Sequence, residues 1–134
     1  MKPTPYIAVK TFDHQVDCFC PDADHSEVIT IQRGDILEIT PERKYTVING
    51  WYALVIINQS FSFYMAVEDI EWYFTKEQLI SMLDVDLQIN YYQFKINQAL
   101  DEADEISFMN FTEKMNDSNE MKEKLQMYLR NVAV

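Results

Sequence analysis

The hydrophobic pattern of this chain changes its period near residue 75. Residues 28 to 74 read as short strands broken by turns, and residues 76 to 134 read as amphipathic helices with caps. A strand sends alternate side chains to one face, whereas a helix returns to a face every three or four residues, so one element cannot satisfy both patterns. The expected class is therefore α+β, with a small β-barrel over residues 1 to 75 and a bundle of three or four short helices over residues 76 to 134. A 60-residue unit buries too little surface to be more than marginally stable alone. The two halves are accordingly expected to pack on each other.

Within the first half, Tyr6 to Phe12 alternates as a strand, and residues 13 to 27 form a polar excursion rich in Asp. Val28–Gln32 and Ile36–Thr40 are β-branched strands joined at Arg33-Gly34-Asp35, with Pro41–Lys44 as a loop. Val47-Ile48 leads into Asn49-Gly50, a two-residue hairpin signal, and Trp51–Ile57 follows as a central strand. Asn58-Gln59-Ser60 turns the chain into Phe61–Ala66. Val67–Ile70 suits one helical turn and Trp72–Phe74 a short closing strand. Five or six short strands so spaced suit a small barrel.

In the second half, Thr75 with Gln78 reads as a capping box for a helix carrying Leu79, Ile80 and Leu83. A longer helix runs from about Asp86 to Glu102, with Ile89, Tyr92, Ile96, Ala99, Leu100 and Ala103 on one stripe. Asp104 caps the next helix, which carries Phe108, Phe111 and Met115. Asp117 and Glu120 frame a last one, with Met121, Leu125, Tyr128 and Leu129 inward. Such short connections require antiparallel neighbours.

Two family resemblances lie on these elements. I-A-V-K-T-F-D-H at Ile7 to His14, E-V-I-T-I-Q-R-G-D-I-L-E-I at Glu27 to Ile39, and N-G-W-Y-A at Asn49 to Ala53 resemble the strands of a Src-homology-3 (SH3-like) barrel. The resemblance implies the barrel shape. The proline and tyrosine that help to wall that family's proline-peptide groove correspond to Ala66 and Asp69 here, so the groove's function is not carried over. Above all in the run I-N-Q-A-L-D-E-A-D-E-I-S-F-M-N-F-T-E-K-M-N at Ile96 to Asn116, the stretch Ile89 to Leu129 resembles the IDEAL domain of Gram-positive bacterial proteins. Its A-L-D-x-x-D core spans Ala99 to Asp104. That resemblance implies a bacterial cytosolic protein and little chemistry.

Acids outnumber bases by 22 to 11, and both halves carry 11 of the acids, giving a net charge of −11. Such a surface repels nucleic-acid phosphates and anionic lipid, so direct nucleic-acid and membrane contact are not expected. Apolar runs are too short to span a bilayer. Cys18 and Cys20, one residue apart, are poorly placed to bridge each other and suit a reducing cytoplasm. His14, Cys18, Cys20 and His25 could hold zinc, but H-x3-C-x-C-x4-H matches no common zinc spacing, and a loop with two partly buried cysteines and two solvated histidines is the expected reading. Asp84/Asp86 and Asp101/Asp104 sit where carboxylates cap helices, not in a catalytic pair. No G-x-S-x-G, phosphate-cradling glycine loop or H-E-x-x-H occurs.

Surplus aromatics remain. Trp51, Tyr52, Phe61, Phe63, Tyr64, Trp72, Tyr73 and Phe74 exceed what one face of a small barrel can hide, and Tyr91 and Phe94 sit off the main stripe of their helix. Of these, Trp51, Tyr52, Tyr64, Trp72, Tyr91 and Phe94 are the candidate partner-binding residues, unless the two halves bury them against each other. The expected function is a non-enzymatic protein-interaction module, an adaptor or regulator, with no cofactor and with a homodimer possible. Alternatives are an acidic mimic of nucleic acid that blocks a DNA-binding protein, and a zinc-dependent module or enzyme centred on residues 14 to 25.

Overall fold

A computed structural model describes residues 4 to 17 and 27 to 132. The chain is α+β and divides into two compact units, Met1–Ile80 and Ser81–Val134. The first holds seven described strands and one helix: β1 (Thr4–Ala8), β2 (Phe12–Val16), β3 (Glu27–Ile31), β4 (Ile36–Thr46), β5 (Gly50–Ile57), β6 (Phe61–Ala66), α1 (Val67–Thr75) and β7 (Leu79–Ile80). The second is α2 (Met82–Asp101) and α3 (Glu105–Val132).

The described strands of the first unit form a five-stranded sheet, β6-β5-β4-β1-β7, and a two-stranded ribbon, β2-β3. All described pairings are antiparallel. Among the described residues no ladder joins β6 to β7, so the sheet is not a closed barrel. The first core gathers Ala8, Ile31, Leu37, Ala53, Val55, Phe63, Met65, Ile70 and Leu79. Ile31 brings the ribbon into that core, and Ile70 brings α1.

Several expected boundaries move, each for a local reason. The strand expected at Tyr6 to Phe12 is two strands, and the second extends into the expected polar excursion. Phe12, His14 and Val16 alternate inward while Asp13 and Gln15 face out, so a buried histidine disguises the strand's apolar face. The expected Pro41–Lys44 loop is strand: β4 runs through it, with its register to β5 shifting between Ile39 and Arg43. Pro41 lies in that shift, where its missing N–H interrupts no ladder. The hairpin turn sits at Val47–Asn49, not at Asn49-Gly50. Thr46 pairs with Gly50, whose φ of 80° closes the loop. At the next hairpin Asn58 and Gln59 both have positive φ, and the Ser60 N–H donates to the Ile57 carbonyl, a turn whose twist matches its strands.

Val67–Thr75 is one nine-residue helix, so Trp72–Phe74 is not the closing strand; Leu79–Ile80 closes the sheet against β1. Glu68 and Asp69 in its first turn suit the positive end of the helix. Tyr73 and Phe74 stack at 4.6 Å on Phe12 and 4.7 Å on Tyr6. Thr75 therefore ends α1 instead of opening a helix, and its hydroxyl donates back to the Glu71 carbonyl.

The capping box lies at Ser81 and Asp84, each side chain accepting from the other's backbone N–H at 3.2 Å. Two long helices replace the three or four short ones expected. Asp104 caps α3 as read from sequence, with Oδ1 accepting from Ser107 N–H and Oδ2 from its hydroxyl. These bonds favour its ionised form and lower its pKa. Asp117 starts nothing, because α3 runs through it. Leu100, Ala103 and Leu129, expected inward, are exposed. In this second unit Val85, Ile96 and Ala99 of α2 are buried, as are Met121 and Leu125 of α3. Gln88–Ser118 at 3.3 Å and Lys122–Asp86 at 2.9 Å fix the antiparallel register of the two helices.

Candidate protein-binding surfaces

In the first unit the exposed apolar surface concentrates at the β4–β5 hairpin. Tyr45 and Trp51 are directly paired across the strands, with ring centroids 5.1 Å apart. Both remain more than half exposed, and Val47 and Ile48 at the turn are each 91% exposed. Together these four leave an apolar surface on the order of a few hundred Å², the scale of the largest apolar patch on a typical monomer. Thr46 Oγ1 accepts from the Asn49 N–H at 3.1 Å and donates to the Gly50 carbonyl at 3.3 Å. The apolar tip is thus held by its own turn.

The expected binding aromatics separate into different environments. Trp51 belongs to this tip. Trp72 is 56% exposed on α1 with the Lys76 ammonium 4.6 Å from its ring centroid. Tyr64 is half-buried; its hydroxyl donates to Glu42 Oε2 at 3.2 Å, and the Lys44 ammonium lies 5.5 Å from the ring centroid. Tyr52 is 1% exposed and offers no contact surface. Its hydroxyl donates to Asp17 Oδ2 at 2.7 Å, and burial followed by that carboxylate pushes its pKa up to about 12. Tyr91 and Phe94 are exposed on α2.

Sequence reading missed Tyr45, Val47 and Ile48. The Asn49-Gly50 pair marked the right hairpin but the wrong turn residues, so the two β-branched residues were read as strand. The positive-φ requirement is met by Gly50 alone, one residue later than a two-residue turn would place it.

A buried polar cluster lies elsewhere in this unit. His14 is 3% exposed, with Nδ1 2.6 Å from the Tyr73 hydroxyl and its ring 5.6 Å from Phe63. Burial lowers the imidazole pKa, while the charges of Asp69 and then Asp17 pull it upward. Burial and then Asp69 push the Tyr73 phenol up to about 12, so it keeps its proton. The arrangement suits a neutral ring that accepts the phenol O–H at Nδ1. With Tyr52–Asp17, it ties the β2 end of the ribbon to α1 and β5 through polar groups that would be costly to leave unpaired.

Of the residues of the zinc alternative, His14 is buried against Tyr73 instead of solvated as expected, and Cys18, Cys20 and His25 lie outside the described residues. Among the described residues no three His, Cys, Asp or Glu side chains gather as a metal site would require. Asp84 caps α2, Asp86 pairs with Lys122 and Asp104 caps α3. No described helix is long and apolar enough to cross a membrane. Comparison with protein-family models, curated proteins and solved structures finds no match to this chain.

Proposed function

We propose that this chain is a non-catalytic protein-interaction module, an adaptor or regulator, which docks the apolar tip of its β4–β5 hairpin into a pocket on a partner protein. The observation that carries this reading is the concentration of Tyr45, Val47, Ile48 and Trp51 on one braced hairpin. Exposing that much apolar surface is unfavourable in water, and large rigid side chains of this kind dominate the energetics of protein interfaces. The net charge of −11 favours a partner with a basic surface around its pocket, because the long-range field steers encounter while the uncharged tip supplies contact.

The finer architecture belongs to the same proposal. The first unit is read as an open SH3-like barrel, supported by the meander β4-β5-β6, the register shift within β4 and the ribbon laid against the sheet's core. The helix pair is read as IDEAL-like, supported by the tight junction at Ala103 and Asp104 inside the A-L-D-x-x-D segment. The setting proposed is intracellular, on the cysteine spacing.

The test is quantitative affinity capture from a Gram-positive cytosolic extract with the wild-type chain and a Val47→Ser/Ile48→Ser variant. Both positions are almost fully exposed, so the variant should keep the wild-type unfolding midpoint. Proteins retained by the wild type and lost by the variant support the proposal. Equal recovery by both proteins overturns it.

A further inference from the structure

A helix in a simple two-helix hairpin needs one apolar stripe, yet α2 carries two. Val85, Ile96 and Ala99 form its buried stripe. Leu83, Leu87, Tyr91 and Phe94 recur at intervals of four, four and three residues, which keeps them together on a helix face. At 100° per residue, the centre of that second stripe lies nearly opposite the first, and Tyr91 at its edge also meets the Phe111 ring of α3, centroids 6.4 Å apart. The four side chains are 67, 57, 53 and 62% exposed.

We propose that this second stripe pairs with the same stripe of a second copy of the chain, antiparallel, across a twofold axis between Leu87 and Tyr91. Two features select a second copy. First, the eight residues Leu87 to Phe94 carry no acidic or basic side chain, on a chain of net charge −11. Two copies repel over most of their surfaces, and such a neutral stretch lets them touch without facing carboxylates. Second, the charges flanking that stretch match only when the helices run in opposite directions. Asp84 precedes it, Asp86 being paired with Lys122 of its own chain. Lys95, whose ammonium lies 5.7 Å from the Tyr91 ring centroid, follows it. An antiparallel pair therefore brings Lys95 of each copy within a turn of the other's Asp84. A parallel pair sets acid against acid.

The four side chains alone bury on the order of several hundred to 1,000 Å² between two copies, so the contact is of the weak, concentration-dependent class and draws on the residues that flank the stripe. Asn90 falls within the stripe and near the axis, where its amide can hydrogen-bond to that of the second copy and fix the register.

The experiment is sedimentation equilibrium of the full chain over a range of concentrations, with Leu87→Glu, Phe94→Glu and Lys95→Glu variants beside it. Thermal unfolding of each dilute protein controls for folding. The expected result is a concentration-dependent dimer of the 15.9 kDa chain. Each apolar-to-Glu change should weaken it at least about tenfold, because a charge is forced into the centre of the contact. Lys95→Glu should weaken it several-fold, with dilute unfolding unchanged. A monomer at all concentrations overturns the proposal. So does a dimer indifferent to Leu87→Glu and Phe94→Glu, which would place the contact elsewhere. A monomer destabilised by Leu87→Glu would mean that the chain covers this stripe itself, and also overturns the proposal.

Discussion

Replacing Tyr73 by Phe removes one oxygen from the first unit and leaves the ring that stacks on Phe12. The loss falls on His14, whose Nδ1 meets that oxygen at 2.6 Å inside a site only 3% exposed. A buried polar group stripped of its partner costs about 1–3 kcal/mol. For a unit of this size, that should lower the unfolding midpoint by roughly 5–20 °C. His14 also gives the unit a pH signature. Its folded pKa lies below the ordinary 6.5, so between those two values the unfolded chain binds more protons than the folded one. The stability contribution is therefore complete above 6.5 and is lost as pH falls through 6.5 toward the folded value. Urea unfolding of wild type, Tyr73→Phe and His14→Gln at about pH 7.5 and about pH 5.5 reads both effects. The wild type should weaken on acidification, and His14→Gln should flatten that slope. A Tyr73→Phe change costing under about 0.5 kcal/mol, together with an unaltered slope in His14→Gln, would refute the buried-pair account.

Three further substitutions test the packing and the helix ends. Leu125→Ala empties a fully buried position of the helical unit and should cost about 2–5 kcal/mol by chemical denaturation. Ser81→Ala should cost about 1 kcal/mol. Ala103 ends α2 at φ 53°, so Ala103→Gly should stabilise by about 0.5–1 kcal/mol, the relieved left-handed strain exceeding the added unfolded-state entropy.

The sequence announced those elements whose apolar positions are apolar in name. Val28 to Ile31, Ile36 to Thr40, Trp51 to Ile57 and Phe61 to Ala66 were legible for that reason, as were the Asp104 cap and the inward Ile96, Ala99 and Leu125. The ribbon strand β2 was hidden because its central inward residue is His14, which becomes core-compatible only through Tyr73, 59 positions away. The end of α2 near Glu102 was legible, whereas the end of α1 was misread because no glycine marks it. Glu77 and Ala103 take the left-handed position after α1 and α2, and the N–H groups of Gln78 and Asp104 reach back to Tyr73 and Ala99. This closes each helix without the usual residue. Thr75 with Gln78 and Asp117 with Glu120 matched a capping pattern but lie at the end and in the middle of helices, since the motif costs little where tertiary packing continues the helix. Of the candidate binding residues, Trp51 was legible by type. Its neighbours Val47 and Ile48 were not, because one residue of turn register separates a strand from an exposed tip.

Tryptophan fluorescence reports on the partner contact proposed for the β4–β5 tip. The chain has two tryptophans, so a Trp72→Phe background leaves Trp51 as the only reporter. Titration with a partner recovered by affinity capture should shift Trp51 emission to the blue, and Val47→Ser/Ile48→Ser should abolish both the shift and the binding. A partner that binds with undiminished affinity to that variant, or that leaves Trp51 emission unchanged, would contradict the account.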